Sequence, residues 1–316
     1  MKYCFGVDVG GTTMKVGFFR ADGNLEEKWE IKTRTENEGA AILPDLTASL
    51  EQKRSDLGID QNDIIGIGMG IPAPVKRDGI IRMTPNLGWN YKEAKKELEE
   101  LTGLPVFITN DANAAALGEM WKGAGAGHAN LLMITLGTGV GGGAIVDGHI
   151  LTGAHGAAAE IGHMHMSEDE TDFCGCGNHG CLEQYSSATG MVRVAKKLLA
   201  ASDEASSLRD GEVTAKSILD GVKAGDALCC KSADISFRYL ASAIASAAAL
   251  LDPEICVVGG GVSKAGQVVL DYLGKYYRDR AFQPDKDLEF TLATLGNDAG
   301  IYGAAKLILD EMGIEA

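Results

Sequence analysis

The chain has 316 residues, 45% of them hydrophobic, which is enough for one large or two ordinary domains with proper cores. Its 44 acidic and 29 basic residues leave a net charge of −15, arguing against nucleic acid or an anionic membrane as the main partner, since both need clustered Lys and Arg. Glycine is the compositional outlier at 42 residues, and no apolar run approaches the ~20 residues that span a bilayer, so the expected setting is the cytoplasm.

From the start, the run CFGVDVG and the run TTMKVGFFR read as two strands of a hairpin, with backbone amides exposed at its tip around Gly10 and Gly11. Residues 25–34 predict a third strand, Glu36 to Leu57 has helical spacing, and IIGIGMG (64–70) reads as a buried strand. The stretches IPAPVKRDG and MTPNLGWN are loops, marked by proline and glycine. Lys92 to Leu101 predicts a charged helix, and Val106 to Asn110 a short strand. At Leu131 to Leu136 the pattern starts again: a strand, the glycine turn GTGVGGG and a second strand. This echo predicts two related α/β lobes rather than a short repeat. Beyond a cysteine-rich loop the chain turns helical, with an Ala-rich run from Ser236 to Leu251. A buried strand then enters the turn VGGGVS, followed by a last strand at Leu288 to Leu295 and a closing helix at Ala299 to Met312. Strands alternate with helices throughout, so the class is α/β.

Five stretches carry candidate chemistry. In Asp8-Val9-Gly10-Gly11-Thr12-Thr13 the glycines let the backbone close on phosphate oxygens, the Thr hydroxyls add donors, and Asp8 is placed to hold a magnesium ion through water. A plain hairpin turn explains those glycines but not the Asp before them or the hydroxyls after. Gly137-Thr138-Gly139 offers the same tools, so two loops can grip one triphosphate; the stretch lacks the G-K-[ST] ending of a P-loop. Gly260 and Gly261 permit close approach by a flat ring or a phosphate. In Thr109-Asn110-Asp111-Ala112-Asn113, Asp111 falls where a helix begins. It is either the N-cap or a general base kept ionised by the positive helix end. The PNLGW loop (85–89) is left open between facing a sugar and packing on the neighbouring helix.

Residues 153–183 hold Cys174, Cys176 and Cys181 at C-x-C-x4-C spacing, with His163 upstream and Glu160 and Glu183 flanking. Thiolates and an imidazole in a short, Gly-broken loop are the ligand set of a closed tetrahedral zinc site. Such a site stiffens a loop too poor in apolar residues to fold alone. His165 competes with His163 as the fourth ligand, and spacing does not separate them. The remaining cysteines (Cys4, Cys229, Cys230, Cys256) show no disulfide framework.

These motifs, in the order DVGGTTMKVG, PNLGW, NDANAAALGEMWKGAG, LGTGVGGGAIVDG, EIGH, CGCGNHGCLE and VVGGGVS, resemble the ROK family (repressors, open reading frames, kinases) over nearly the whole chain. Within it the likeness is to the bacterial ATP-dependent glucokinases. The resemblance implies an actin-like ATPase (ribonuclease H-like) fold, with two α/β lobes closing a cleft on sugar and ATP. The small lobe is expected at 1–109, completed by 299–316, and the large lobe with the zinc loop at 110–298. The resemblance makes Asp111 the base for the sugar 6-hydroxyl, and assigns the sugar hydroxyls to Asn86, Asn110, Glu160, His163 and Glu183. It assigns the phosphates to Asp8, Gly10, Gly11, Thr12, Thr13, Gly137, Thr138 and Gly139, and the adenosine side to Gly260 and Gly261. His163, Cys174, Cys176 and Cys181 match a structural zinc site. Glucose or a related hexose, ATP with Mg2+, and a homodimer or homotetramer are what the likeness implies. Fructose, N-acetylmannosamine and N-acetylglucosamine stay open as alternative substrates, and so does a sugar-sensing regulator. Ala73 stands where many relatives carry glycine, and His165 and the acidic spacer Glu168 to Asp172 receive no role.

Overall fold

A computed structural model describes residues 1–76 and 78–314; Arg77 of the proline-marked loop and the last two residues of the C-terminal segment, Glu315 and Ala316, lie outside the described residues. Internal contacts divide the chain into two compact units, Met1–Gly127 with Ile150–Ala158 and Asn297–Ala316, and His128–His149 with Ala159–Gly296.

The first unit opens with β1 (Tyr3–Val9), β2 (Thr13–Arg20) and β3 (Leu25–Lys32). In the β1–β2 hairpin Val9 faces Met14, so the four residues Gly10, Gly11, Thr12 and Thr13 make the turn. The helix expected from Glu36 is interrupted. One turn, α1 (Glu36–Gly39), has Asn37 and Glu38 at φ 54° and 58°, and the regular helix α2 (Ile42–Asp56) follows. The cause lies at Gly39, where a Cβ would fall 2.3 Å from the Leu87 carbonyl oxygen; the backbone bends there to pack on the 87–89 loop. Helix α2 turns Ile42, Leu43, Leu46 and Leu50 inward, a single apolar face. Every residue of β4 (Ile64–Ile71) is buried, as a strand covered on both faces requires. A minimal ladder of β5 (Ile80–Ile81) and β6 (Lys92–Glu93) takes the first two residues of the helix expected at Lys92, and α3 (Ala94–Thr102) begins after them. Then come β7 (Val106–Asn110) and α4 (Asp111–Lys122). The sheet order is β3-β2-β1-β4-β7.

The second unit repeats the plan. Its strands β8 (Leu131–Leu136), β9 (Val140–Val146) and β10 (His149–Ile150) form the meander. Helices α5 (Glu183–Ser186), α6 (Ala188–Ala201), α7 (Ala215–Lys223) and α8 (Ala227–Leu251) follow the cysteine loop. The remaining elements are β11 (Ile255–Gly259), α9 (Gln267–Tyr277) and β12 (Glu289–Leu292), the last shorter than expected. The order β10-β9-β8-β11-β12 matches the first sheet strand for strand, with β8–β9 antiparallel and β8–β11–β12 parallel. By length and composition α8 is apolar enough to cross a bilayer, a feature missed in the sequence; twelve of its residues, from Leu228 to Ala248, are instead buried among the unit's apolar side chains.

The chain returns to the first unit as α10 (Ala299–Glu311), which packs on α4, β1 and β4. Much of the glycine excess is spent on this packing. A Cβ on Gly68 would lie 1.7 Å from the Ala304 carbonyl oxygen, and one on Gly303 1.6 Å from that of Ala114. These glycines serve backbone contact between elements, not phosphate. The same packing carries α4 into the first unit, whereas the sequence divided the chain after Thr109.

Candidate active site

In the first unit the hairpin tip is closed by its own backbone. The Gly10 amide donates to Thr13 O at 3.0 Å and Thr33 Oγ1 donates to Gly10 O at 2.7 Å, leaving Gly11 and Thr12 exposed. Asp8, at the end of β1, sits against the first turn of α10: a Cβ on Gly300 would fall 2.7 Å from its carboxyl carbon. Burial pushes the Asp8 carboxyl up, and Lys15, its cross-strand partner with Nζ 4.0 Å away, opposes the shift. Counting back from a four-residue turn, Gly10 to Thr13, pairs Asp8 with Lys15, so this neighbour was within reach of sequence reasoning and was missed.

Asn86 is exposed on a single helical turn at Pro85–Leu87, and its carbonyl oxygen lies 3.1 Å from where a Gly11 Cβ would stand. The loop therefore meets the glycine turn. Its indole does the packing: Trp89 is buried and donates to Gly39 O at 3.3 Å. Helix capping falls to Asn110, whose Oδ1 accepts from the amides of Ala112 and Asn113 at 2.8 and 3.3 Å. Asp111 is thus the first helical residue rather than the cap; its Oδ1 accepts from Ala112 N at 2.8 Å, at the positive end of α4. Asn110 Nδ2 reaches the Ala73 carbonyl oxygen at 3.4 Å, which ties the departure at Ala73 to the residue beside Asp111.

In the second unit the turn at Gly137–Gly139 closes through Gly137 N to Gly139 O at 3.0 Å, and α6 holds it from outside. The Ala188 amide donates to Gly137 O at 2.8 Å and Thr189 Oγ1 to Thr138 O at 2.7 Å. A Cβ on Gly139 would meet Glu183 Oε2 at 2.7 Å, so the glycine turn and Glu183 are in contact. Gly260, at φ 85°, is pressed onto Leu136, its missing Cβ 2.5 Å from that carbonyl oxygen; the third glycine turn thereby adjoins the second. Glu160 precedes the turn Ile161–His163, held on β9 by Gly142 and Gly162. Its carboxyl is pushed up by burial, pulled back by His163 and raised further by Glu183.

His163 and the three loop cysteines offer ligand atoms that all lie within 4.8 Å of one another. Cys176 Sγ to Cys181 Sγ is 3.6 Å, and Cys174 Sγ to His163 Nδ1 is 3.8 Å. Zn–S bonds of about 2.3 Å at tetrahedral angles give edges of about 3.8 Å, so the donor set fits zinc. His165 is engaged elsewhere, with Nδ1 3.0 Å from His179 O and Nε2 3.3 Å from Glu168. Of the two candidate histidines, the geometry favours His163. Glu183 Oε1 stands 2.9 Å from Cys174 Sγ, so Glu183 and the ligand cluster share one small region with Gly139.

Two α/β units of one strand order, each turning on glycines at its first hairpin, define an actin-like ATPase fold. The chain belongs to the ROK family, whose profile matches residues 4–311. It is 44% identical to a glucokinase of Halalkalibacterium halodurans over 97% of this chain and 95% of that protein. Among solved structures, a ROK family glucokinase from Streptomyces griseus in complex with glucose and AMPPNP is 35% identical with a TM-score of 0.75, covering 96% of this chain and 98% of that one. A ROK hexokinase from Thermus thermophilus is 31% identical with a TM-score of 0.83, covering 98% and 99%.

Proposed function

We propose that this chain is an ATP-dependent glucokinase that transfers the γ-phosphoryl group of ATP to the 6-hydroxyl of glucose. The 44% identity to a glucokinase along nearly the whole of both chains supports this most. Asp111 is the general base: it accepts the 6-hydroxyl proton as that oxygen attacks phosphorus in line. Its place in the first turn of α4 favours the ionised carboxylate until then. Asn86, Asn110, Glu160 and Glu183 hold sugar hydroxyls. His163 joins them through Nε2, since Nδ1 faces the thiols. Gly10, Gly11, Thr12 and Thr13 on one turn and Gly137, Thr138 and Gly139 on the other bind phosphate oxygens, with Gly260 and Gly261 on the adenosine side.

Asp8 with the Thr12 and Thr13 hydroxyls supplies the oxygen donors that Mg2+ prefers; when bound, Mg2+ neutralises charge on the phosphates. His163, Cys174, Cys176 and Cys181 would hold a structural zinc, which orders the loop bearing Glu183. The cytoplasm and a homodimer or homotetramer are the setting and assembly that the family resemblance supports.

ADP release with Mg-ATP across glucose, mannose, fructose and the N-acetylated hexosamines tests the reading. Glucose is expected to give the highest kcat/KM by about tenfold, roughly 1.4 kcal/mol of transition-state preference. A higher value for fructose or an amino sugar moves the assignment to another hexose kinase. Glucose binding with no ADP from any sugar favours a sensor instead.

A further inference from the structure

The acidic spacer before the cysteines is built into the loop. Glu170 is 8% exposed, too buried for an unpaired carboxylate. It accepts from Tyr185 OH at 2.9 Å, from the Asp172 amide at 3.0 Å and from the Arg193 guanidinium. Arg193, from the second turn of α6, also reaches Asp172 Oδ2 at 2.6 Å and donates to the Gln184 carbonyl oxygen at 3.2 Å. Gln184 closes the ring: its Nε2 donates to Asp172 O at 2.8 Å and its Oε1 accepts from the Cys181 amide at 3.0 Å. Glu183 lies between Leu182 and Gln184, and Cys181 directly before them, so this one ring grips both the sugar-reading carboxylate and a zinc ligand.

We propose that Arg193 is a positioning residue. Its guanidinium, through Glu170, Asp172 and the Gln184 peptide, sets the loop so that Glu183 faces the sugar and the cysteines converge, even before metal binds. This deepens the glucokinase reading and rests on it for the sugar half; the metal half does not. An Arg is suited to the post because its planar fork serves several acceptors at once, which a lysine ammonium on a flexible stem does less well. The carboxyl of Glu170 is held down to about 2, first by the Arg193 hydrogen bond, in agreement with a clasp that stays ionised at neutral pH.

The test uses the full chain loaded with zinc and compares Arg193→Ala, Arg193→Lys and Tyr185→Phe. The first readout is the rate of zinc extraction by a chromogenic chelator; the second is the split of glucose KM from kcat. Arg193→Ala is expected to speed extraction about tenfold or more and raise glucose KM by a similar factor, in the range lost with outer-shell partners of a metal site. ATP KM should stay within about twofold, because the Ala188 and Thr189 bonds to the glycine turn remain. Arg193→Lys should recover part of the loss. Tyr185→Phe, which deletes one hydroxyl and leaves the ion pairs, should show the smallest effect and keeps the test alive if Arg193→Ala does not fold. Wild-type extraction rate and glucose KM in all three variants would overturn the clasp. A wild-type protein that phosphorylates no sugar would overturn the kinase reading, and the extraction rates would still decide the clasp.

Discussion

Asp111 and Glu183, the two carboxylates on which the proposed reaction leans, are presented by different means. Asp111 stands in the first turn of a twelve-residue helix whose capping bonds come from its own neighbour, Asn110. Its position follows from a strand running straight into a helix. Glu183 opens a four-residue helix after a loop of glycines, cysteines and acids, and is aimed by Gly139, Cys174 and the ring through Arg193. One carboxylate is placed by local backbone structure, the other by side chains and, in the proposed reading, by the zinc those side chains would hold. The base should therefore tolerate damage to the loop, and the sugar contacts should not.

Removing the base gives the largest expected effect. Asp111→Ala should lower kcat by about 10²- to 10⁴-fold, the usual contribution of general base catalysis. Glucose affinity, read by equilibrium titration, should stay within a few fold. Retained kcat would remove Asp111 from the role. Cys176→Ser should act on the other side of the comparison. Zinc content measured by atomic emission should fall, and glucose KM should rise by up to about 100-fold, since displacing a positioning group by about 1 Å costs that much. Because Asp111 is set by the start of α4, kcat at saturating glucose should fall far less. Full zinc content in the variant would contradict the ligand set.

The same contrast decides what could be read from the sequence. Strand β7, the start of α4 and both glycine hairpins were legible because periodicity and turn residues report local backbone. Lys15 opposite Asp8 lay within reach of a register count. The kink at Asn37 and Glu38 was not legible, because Gly39 is pressed onto a loop almost fifty residues further on. Glu170 was equally hidden: a carboxylate in an acidic run looks solvent-facing until the fold brings Arg193 and Tyr185 to it. A glycine in the sequence does not by itself announce which use it serves. Gly68, Gly142, Gly162 and Gly303 admit neighbouring backbone, not phosphate, and only the three-dimensional contacts separate the two uses.

A pH profile sharpens the comparison on the loop side. Burial, with Glu183 adding to it and His163 opposing, places the Glu160 carboxyl above the ordinary range near 4.3. Only the ionised form accepts sugar hydroxyls on both oxygens. As pH falls, Glu160 therefore protonates earlier than an exposed glutamate, and the acid limb of glucose kcat/KM should begin at correspondingly higher pH. Folding stability moves the other way: the folded state holds this proton more tightly than the unfolded chain. Stability is thus lost as pH rises from the unfolded value through the folded one. Glu160→Gln should flatten both dependences while raising glucose KM. An acid limb unchanged in that variant would assign it to another group.

The smallest effect is expected at Asn110, where structure and function compete for one side chain. Its Oδ1 already serves two helix amides, which leaves Nδ2 to meet a sugar hydroxyl or keep its long contact to Ala73. Asn110→Ala removes cap and amide together and should cost about 1 kcal/mol in denaturant unfolding. Asn110→Ser keeps an oxygen able to cap and removes only the amide donor, so its unfolding free energy should stay within about 0.5 kcal/mol of wild type. A glucose KM raised several fold in the Ser variant would then belong to a lost hydrogen bond to the sugar. An unchanged KM would mean that Asn110 acts as a cap alone, serving the reaction by leaving the first helical position, and the dipole there, to Asp111.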